Sequence, residues 1–371
     1  MIYLACFALS TLFAFWANKT DKRWKFWLFS VLCIALPVLL AGLRGFNIGI
    51  DTENYLTFER FWAGAMKADS LIGYLQYYLS LGLREPLFAL FIGSIARLTG
   101  EYRVFLFLAH LIIMTGIYIG AVRQRKHVNP ALVLLIFYLF FFNHSLNIIR
   151  QYIAIAIIFA VFADIQEKKY WRYCVAVLVS MFIHSTSVIA FGALILHFLL
   201  EFEHPKLRLT RLHRKWIITG ALSAVILLFA PIVRLLMSTG ILSSRYEFFL
   251  RQDDVTPALI ISGIVVLGLI AVYVFKDAMR ARSPQFDFFT MSSIVYLIIL
   301  QLTWTVAFGK RVALYFAMTD ILTIGLIESA QTDKKKRWLV RIAIVGVALA
   351  YWLYVYAFRN ASQTIPYELS F

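Results

Sequence analysis

Apolar segments of about 20 residues recur along the whole chain, and this pattern limits the possible folds more than any other feature of the sequence. A helix that crosses a bilayer needs roughly 20 predominantly apolar residues. The chain has 371 residues, of which 61% are hydrophobic and 15% are charged, and its mean hydropathy is +0.78. Soluble domains are about 45–50% apolar and about 25% charged. The sequence therefore predicts an all-α polytopic membrane protein.

The apolar pattern predicts about 12 transmembrane helices within a single transmembrane domain, residues 1–371. The predicted spans are 1–17, 26–43, 103–122, 128–142, 148–164, 173–183, 186–200, 216–237, 257–275, 286–305, 311–328 and 338–358. A further apolar segment, Leu87–Leu98, is too short for a comfortable span and carries Arg97. We predict a half-embedded or re-entrant helix there, with its ends covered by protein or water. Two extra crossings near 61–80 and 87–99 would preserve the same orientation.

The distribution of basic residues predicts how these helices are oriented. The net charge is +16, and 23 of the 36 Lys and Arg residues lie in six loops: 19–25, 123–126, 168–172, 206–215, 276–282 and 334–341. Short loops rich in Lys and Arg stay on the cytoplasmic side of the membrane. Both termini and the outer loops 44–102 and 238–256 are then extracytoplasmic. No nucleic-acid-binding motif accompanies the positive charge, so no nucleic acid is expected as a partner.

The first long polar stretch, residues 44–55, reads Arg-Gly-Phe-Asn-Ile-Gly-Ile-Asp-Thr-Glu-Asn-Tyr. Within it, Arg44, Thr52 and Tyr55 are candidates for binding a substrate. Asp51 is a candidate catalytic residue, because a carboxylate can activate a sugar hydroxyl. An Asx turn after Gly49 or a helix N-cap would explain Asp51 almost as well.

Other acidic and polar candidates occur at helix starts and hairpin tips. Glu85 precedes a proline at a helix start, for which capping is the favoured explanation. The short predicted span 173–183 reaches only about 17 Å, which would place His184 at a recessed tip. His184 could transfer a proton or bind phosphate, or it could simply close the hairpin with a hydrogen bond. One tilted helix over 173–200 is the alternative.

Four arginines are predicted at the outer ends of different spans: Arg44, Arg150, Arg245 and Arg311. Arginine presents a rigid fork of donors that pairs bidentately with phosphate and stays charged in a low dielectric. Converging arginines on the outer half of an apolar bundle suit a lipid-linked phosphate or pyrophosphate. Tyr246 follows Arg245 and joins the candidate binding residues. The alternative is that each arginine ends a helix and extends to the lipid headgroups.

The sequence favours no cofactor. No group of His, Cys, Asp and Glu residues has the spacing of a metal site, and phosphate-binding and dinucleotide-binding glycine motifs are absent. The three cysteines, Cys6, Cys33 and Cys174, lie in apolar segments and imply no disulfide framework.

Four short motifs in the same order together resemble the EpsG/Wzy family of bacterial polysaccharide polymerases. These motifs are Arg44…Gly49-Ile-Asp51-Thr52…Tyr55, Arg150-Gln151…Ala154, His184-Ser185 and Arg311…Tyr315-Phe316. Each motif is weak alone, and their order and common predicted side of the membrane make the resemblance specific. It extends over about residues 40–320.

The resemblance implies a metal-independent glycosyltransferase of the broader GT-C-like membrane class, without a cofactor. Such an enzyme of exopolysaccharide, capsule or O-antigen synthesis would move a growing glycan from undecaprenyl pyrophosphate onto a lipid-linked repeat unit. The reaction would occur on the outer face of the bacterial cytoplasmic membrane. Expected partners are the undecaprenyl-pyrophosphate-linked oligosaccharide and membrane lipid, and they could include a chain-length regulator and a flippase.

Three other functions fit parts of the sequence. An O-antigen ligase-like transferase would share the outer arginines, although ligases usually carry a large outer domain late in the chain. A transporter of lipid-linked oligosaccharide would bind an anionic lipid without chemistry, although no repeat symmetry is visible. A membrane acyltransferase with His184 as base would need its reactive residues nearer the cytoplasmic side.

Overall fold

A computed structural model describes residues 1–202, 210–239, 250, 255–306 and 309–369. Its contacts divide the chain into two units. Unit 1 consists of Met1–Val188 and Arg341–Phe371, and unit 2 consists of Ile189–Val340.

Helices account for nearly all regular structure in the described part of the chain. Unit 1 contains α1 (Ile2–Lys19), α2 (Arg23–Gly42), α3 (Ile50–Thr57), α4 (Trp62–Lys67), α5 (Leu71–Ser80), α6 (Pro86–Thr99), α7 (Tyr102–Arg123), α8 (Pro130–Phe137), α9 (Asn143–Ser145), α10 (Ile149–Ala160), α11 (Ala163–Gln166) and α12 (Tyr170–Met181). Unit 2 contains α13 (Phe191–Glu201), α14 (Arg211–Ser238), α15 (Thr256–Val274), α16 (Lys276–Arg282), α17 (Phe286–Leu300) and α18 (Gly309–Ser329). The last helix, α19 (Lys334–Trp352), begins in unit 2 and ends in unit 1.

The prediction of an all-α polytopic membrane protein is confirmed. Among the described residues, nine helical segments are long and apolar enough to cross a bilayer: Ile2–Lys19, Arg23–Gly42, Tyr102–Arg123, Ile149–Gln166, Leu212–Ser238, Thr256–Val274, Phe286–Trp304, Gly309–Ser329 and Lys334–Phe358. They coincide with nine of the twelve predicted spans. The other three predicted spans coincide with shorter helices, Pro130–Ser145, Tyr170–Met181 and Ser185–Glu201.

Helix α6 is the short apolar helix expected near residues 87–98. It begins with Pro86 and ends before Gly100, whose φ of 65° is left-handed. Proline suits the first helical position and glycine suits the position after the last turn. Its 14 residues reach about 21 Å, less than the roughly 30 Å of a hydrocarbon core. Phe88 and Phe91 both lie against Phe105 of α7, at centroid distances of 6.2 and 5.9 Å.

Two glycines one turn apart allow α7 and α10 to pack closely. A Cβ at Gly116 would lie 2.5 Å from the Ala156 carbonyl oxygen, and a Cβ at Gly120 would lie 2.3 Å from the Phe159 ring. This Gly-x-x-x-Gly spacing lets membrane helices approach until their backbones touch. The spacing is visible in the sequence, as Gly116-Ile-Tyr-Ile-Gly120.

At one end of unit 1, ion pairs hold two helix ends together. Both terminal nitrogens of Arg123, at the end of α7, donate to the Asp164 carboxylate at 2.9 and 2.7 Å. Arg123 also donates to Glu167 at 3.2 Å, which lies beside Lys169. This bidentate pairing fixes the end of α7 against the end of the α10–α11 segment.

The opposite end of unit 1 brings together the start of α1, the end of α2 and the C-terminal tail. The Tyr3 hydroxyl donates to the Thr364 carbonyl at 2.9 Å, and the Tyr367 hydroxyl donates to the Leu40 carbonyl at 2.8 Å. The Asn143 amide donates to the Thr364 hydroxyl at 2.8 Å. We call this the Arg44 end, because the loop that follows α2 begins there with Arg44.

In unit 2, hydroxyl groups join α17 to α18. Ser293 donates to Thr323 at 2.9 Å, and Thr323 donates to the Phe289 carbonyl at 3.0 Å. Hydrogen bonds of this kind support helix pairs where lipid offers no alternative partner.

Candidate functional site

Arg44 is fully buried where the chain leaves α2. Its Nη1 donates to the Ala41 carbonyl at 3.1 Å, and its Nη2 donates to the Leu146 carbonyl at 3.0 Å and to the Thr52 hydroxyl at 3.4 Å. Burial lowers the pKa of Arg44 to about 10, so the guanidinium keeps its proton at neutral pH. Both terminal nitrogens are therefore engaged in holding the tip between α9 and α10 against the end of α2.

The C-terminal tail covers the loop that contains Arg44. Gly45 donates to the Glu368 carbonyl at 2.8 Å, and Gly49 donates to the Gln363 carbonyl at 2.9 Å. Gly49 has a φ of +93°, and a Cβ there would lie 2.8 Å from the Asn147 side-chain oxygen. Both the left-handed backbone and the missing space require glycine at this position.

Asp51 lies in the first turn of α3 and is partly buried. Its backbone N–H donates to the Asn147 amide oxygen at 3.3 Å, and its carboxylate accepts from Asn54 at 3.3 Å. Gly49 occupies the N-cap position, so Asp51 is not the cap. Residues four apart on a helix share a face, with Cβ atoms about 5–6 Å apart. Asp51 therefore lies one turn from Tyr55, on the same side of α3.

Arg150, near the start of α10, is surrounded by aromatic rings and one acid. Its guanidinium carbon lies 5.0 Å from the centre of the Phe61 ring and 5.5 Å from that of the Phe88 ring. Its Nη1 lies 3.6 Å from the Glu85 carboxylate. The Tyr55 hydroxyl is also close enough to interact with the guanidinium. Aromatic faces stabilise a cation through the ring quadrupole without consuming its hydrogen-bond donors.

Glu85 connects Arg150 to the tip that follows α12, and its side chain does not cap α6. The Ser185 hydroxyl donates to its carboxylate at 3.0 Å, and the Tyr78 hydroxyl donates to it at 3.4 Å. Burial raises the pKa of Tyr78 to about 12, so this hydroxyl remains a donor. The sequence favoured capping for Glu85; it does occupy the N-cap position of α6, but its carboxylate makes no capping hydrogen bond and bonds to the tip that follows α12 instead.

His184 lies at the same tip and is half-buried, next to Ser185. The tip is attached to the start of α6, because the Leu87 N–H donates to the Phe182 carbonyl at 3.0 Å. Glu85 therefore joins two segments: the tip that carries His184 and the helix start that carries Arg150. Glu85 and Ser185, which bond to each other, are 100 residues apart in the sequence.

The other candidates belong to unit 2 or are not among the described residues. Arg311 belongs to unit 2, where it is half-buried in the first turn of α18. Tyr315 and Phe316 follow it and are buried, and the Phe316 ring lies 3.0 Å from the position of a Cβ on Gly192. Arg245 and Tyr246 lie outside the described residues. Unit 1 therefore unites Arg44, Asp51, Thr52, Tyr55, Arg150 and His184 at its Arg44 end.

This arrangement can bind an anion. Arg150 and Glu85 are too far apart for a direct hydrogen bond, and Arg150 Nε is buried without a hydrogen-bond partner among the described residues. A guanidinium whose ion pair is long and whose Nε has no partner can donate a hydrogen bond to a phosphate oxygen. In the described part of the chain, no three His, Cys, Asp or Glu side chains group closely enough to hold a metal ion.

The fold and site define a polytopic helical membrane protein with a half-buried cationic site at one end of its helices. The chain belongs to the EpsG family, whose family model matches residues 26–369. EpsG is a family of Wzy-like polysaccharide polymerases, so the resemblance described from four short motifs is confirmed over nearly the whole chain. No curated protein and no solved structure matches the chain significantly.

Proposed function

We propose that this protein is a Wzy-type polysaccharide polymerase that acts at the extracytoplasmic face of the bacterial cytoplasmic membrane. It transfers a glycan from undecaprenyl pyrophosphate to a lipid-linked repeat unit. Membership of the EpsG family supports a polymerase of glycosyltransferase type. The donor, the acceptor and the orientation are part of the proposal.

The single observation that carries the proposal is the state of Arg150. Its guanidinium lies against two aromatic rings, its ion pair with Glu85 is long, and its Nε is a buried donor with no hydrogen-bond partner among the described residues. A pyrophosphate oxygen supplies the acceptor that Nε lacks. As the bond to the sugar breaks, charge grows on the leaving pyrophosphate, and a fixed cation stabilises that charge.

The transfer step breaks the bond between the anomeric carbon of the donor glycan and the pyrophosphate oxygen, which keeps the electron pair. A hydroxyl oxygen of the acceptor sugar forms the new bond to that carbon, and its proton passes to a general base. Asp51 and His184 are the two candidate bases. Tyr55 interacts with Arg150 and lies on the same face of α3 as Asp51, which favours Asp51 for an acceptor bound beside that face.

The remaining residues have supporting roles in this proposal. Arg44 and Thr52 position the loop before α3, because both are fully buried and bonded to each other. Arg311, Arg245 and Tyr246 are proposed to bind the glycan or its pyrophosphate from other segments. The reaction is proposed to require no metal ion, since arginine charge substitutes for a cation at the leaving group.

The proposed orientation predicts that a cysteine at position 53 reacts with a membrane-impermeant thiol reagent in intact cells. Glu53 is exposed on α3, whereas its neighbour Thr52 is fully buried. The variant Glu53→Cys is made in a background without the native cysteines, and the matched control Lys22→Cys lies in the exposed loop between α1 and α2. The proposed orientation would be contradicted if position 22 were labelled in intact cells and position 53 only after permeabilisation. The protein would then have the opposite orientation in the membrane.

A deletion strain distinguishes the polymerase from its alternatives. We expect it to accumulate a single lipid-linked repeat unit and to lose long chains, as measured by mass spectrometry of extracted lipids and gel analysis of surface glycan. A ligase-like transferase would leave long chains attached to their lipid carrier. A transporter would leave its lipid-linked substrate inaccessible to a glycosidase added from outside.

A further inference from the structure

A cavity of about 390 Å³ opens on the 59–77 segment of unit 1. We propose that it binds a neutral or amino sugar of the lipid-linked glycan, at a position away from the pyrophosphate. This inference rests on the proposed polymerase function and assigns a further subsite to it. The lining residues used in the argument are Glu59, Lys67, Asp69, Ser70, Gly73 and Tyr77.

The cavity has a fixed frame. Arg97 of α6 donates to the backbone carbonyls of Ala68 and Asp69, the latter at 2.9 Å. The Ser70 hydroxyl accepts from the Gly73 N–H at 3.0 Å and so caps α5. The arginine that made 87–98 an unsuitable membrane span therefore supports the wall of this cavity. A preformed frame lowers the entropic cost of binding a ligand.

The chemistry of the lining suits a hydroxyl-rich ligand. Tyr77 is 40% exposed and presents an aromatic ring on which the apolar face of a sugar can pack. The Asp69 carboxylate has no ion pair or side-chain hydrogen bond in the described part of the chain and can accept from sugar hydroxyls. Glu59 and Lys67 form an exposed ion pair at 2.7 Å, which contributes little stability and can rearrange around a ligand.

The charge of the lining discriminates between sugars. Two carboxylates and one ammonium line the cavity, and the ammonium is already paired with one of the carboxylates. A uronic acid would bring a further negative charge next to Asp69, and like charges that lie close together repel each other. The lining therefore favours neutral and amino sugars over acidic ones.

Helix α5 separates this cavity from Arg150 and explains how one glycan can occupy both. Tyr74 and Tyr78, four residues apart, are fully buried, and Tyr78 donates to Glu85 beside Arg150. Gly73 and Tyr77 occupy the adjacent face of the helix and line the cavity. A helix is about 10–12 Å across with its side chains. An oligosaccharide can extend over that distance, whereas a single sugar cannot.

The test measures sugar binding directly, without requiring catalysis. Purified full-length protein in detergent is mixed with free glucose, galactose, N-acetylglucosamine or glucuronate, and saturation-transfer difference NMR reports contact. We expect at least one of the uncharged sugars to give a signal that falls about five-fold or more in Tyr77→Ala, because an aromatic anchor is lost. Asp69→Asn should also weaken the signal. Tyr273→Ala, which removes an exposed tyrosine in unit 2, should leave the signal unchanged.

The outcomes separate this inference from the proposed function. No signal from any uncharged sugar, a signal from glucuronate alone, or a signal that survives both Tyr77→Ala and Asp69→Asn overturns the sugar subsite. Size-exclusion profiles identify a variant that fails to fold, in which case the other variant decides. Because the measurement involves no transfer, the sugar subsite can fail while the deletion strain still accumulates single repeat units.

Discussion

Replacing Arg150 with lysine is expected to reduce polymer formation about 100-fold or more while leaving the amount of protein in the membrane unchanged. Lysine keeps the charge but is a compact point charge that cannot reproduce the planar fork of arginine. Loss of one preorganised donor to a developing anion costs about 10²–10³ in rate. The measurement is long-chain glycan in the deletion strain carrying the variant, normalised to protein level.

The matched control is Arg234→Lys, which makes the same exchange at an exposed position near the end of α14. This control should support wild-type polymer. If Arg150→Lys also made wild-type amounts of polymer, Arg150 would not hold the pyrophosphate. If Arg150→Lys lowered the protein level in proportion to the polymer, its role would be structural.

The second large effect is expected on stability. Gly116→Ala should destabilise the protein by about 1–3 kcal/mol, because overpacking a close contact forces the backbone to shift. The added Cβ would lie 2.5 Å from the carbonyl oxygen of Ala156, a backbone atom that cannot rotate away. Thermal unfolding of the purified protein in detergent, followed by size exclusion, should show a lower Tm.

The control for this effect is Gly263→Ala in α15, where an added Cβ meets no atom within 4 Å. Alanine is favoured over glycine inside a helix by about 0.5–1 kcal/mol, so this variant should be as stable as the wild type or slightly more stable. Equal Tm values for the two variants would contradict the close packing of α7 on α10.

Local sequence patterns were sufficient to predict the long apolar helices and the short apolar helix α6. Proline and glycine mark the ends of α6, and the apolar runs coincide with helices because lipid requires every backbone group to be bonded within the helix. The short segment before His184 also ends in a tip that packs within unit 1. These features depend on residues that are neighbours in the chain.

The pairing of Glu85 could not be predicted because it depends on segments far apart in sequence. Arg150 lies 65 residues later and Ser185 lies 100 residues later, and no local rule relates these positions. The best available signal was an acid in a region predicted to share its side of the membrane with four arginines. The proline after Glu85 suggested helix capping, a local explanation that gave no reason to expect pairing with distant residues.

The contacts of Arg44 could not be predicted from the sequence either. The sequence placed it among possible phosphate ligands, and in the fold its terminal nitrogens donate to the Ala41 and Leu146 carbonyls and to the Thr52 hydroxyl. The C-terminal tail covers the loop that contains Arg44, and the hydrogen bond between Gly49 and Gln363 joins residues more than 300 positions apart. Only the folded chain distinguishes the buried Arg44 from the loosely paired Arg150.

The most direct test of the central claim uses the purified protein in lipid vesicles with an undecaprenyl-pyrophosphate-linked repeat unit as its sole substrate. Mass spectrometry measures glycan length and the release of undecaprenyl pyrophosphate. The account predicts glycans of two or more repeat units, with one lipid pyrophosphate released per bond formed, and predicts that Arg150→Lys lowers both products about 100-fold or more. Unchanged repeat units after incubation with folded wild-type protein would contradict it.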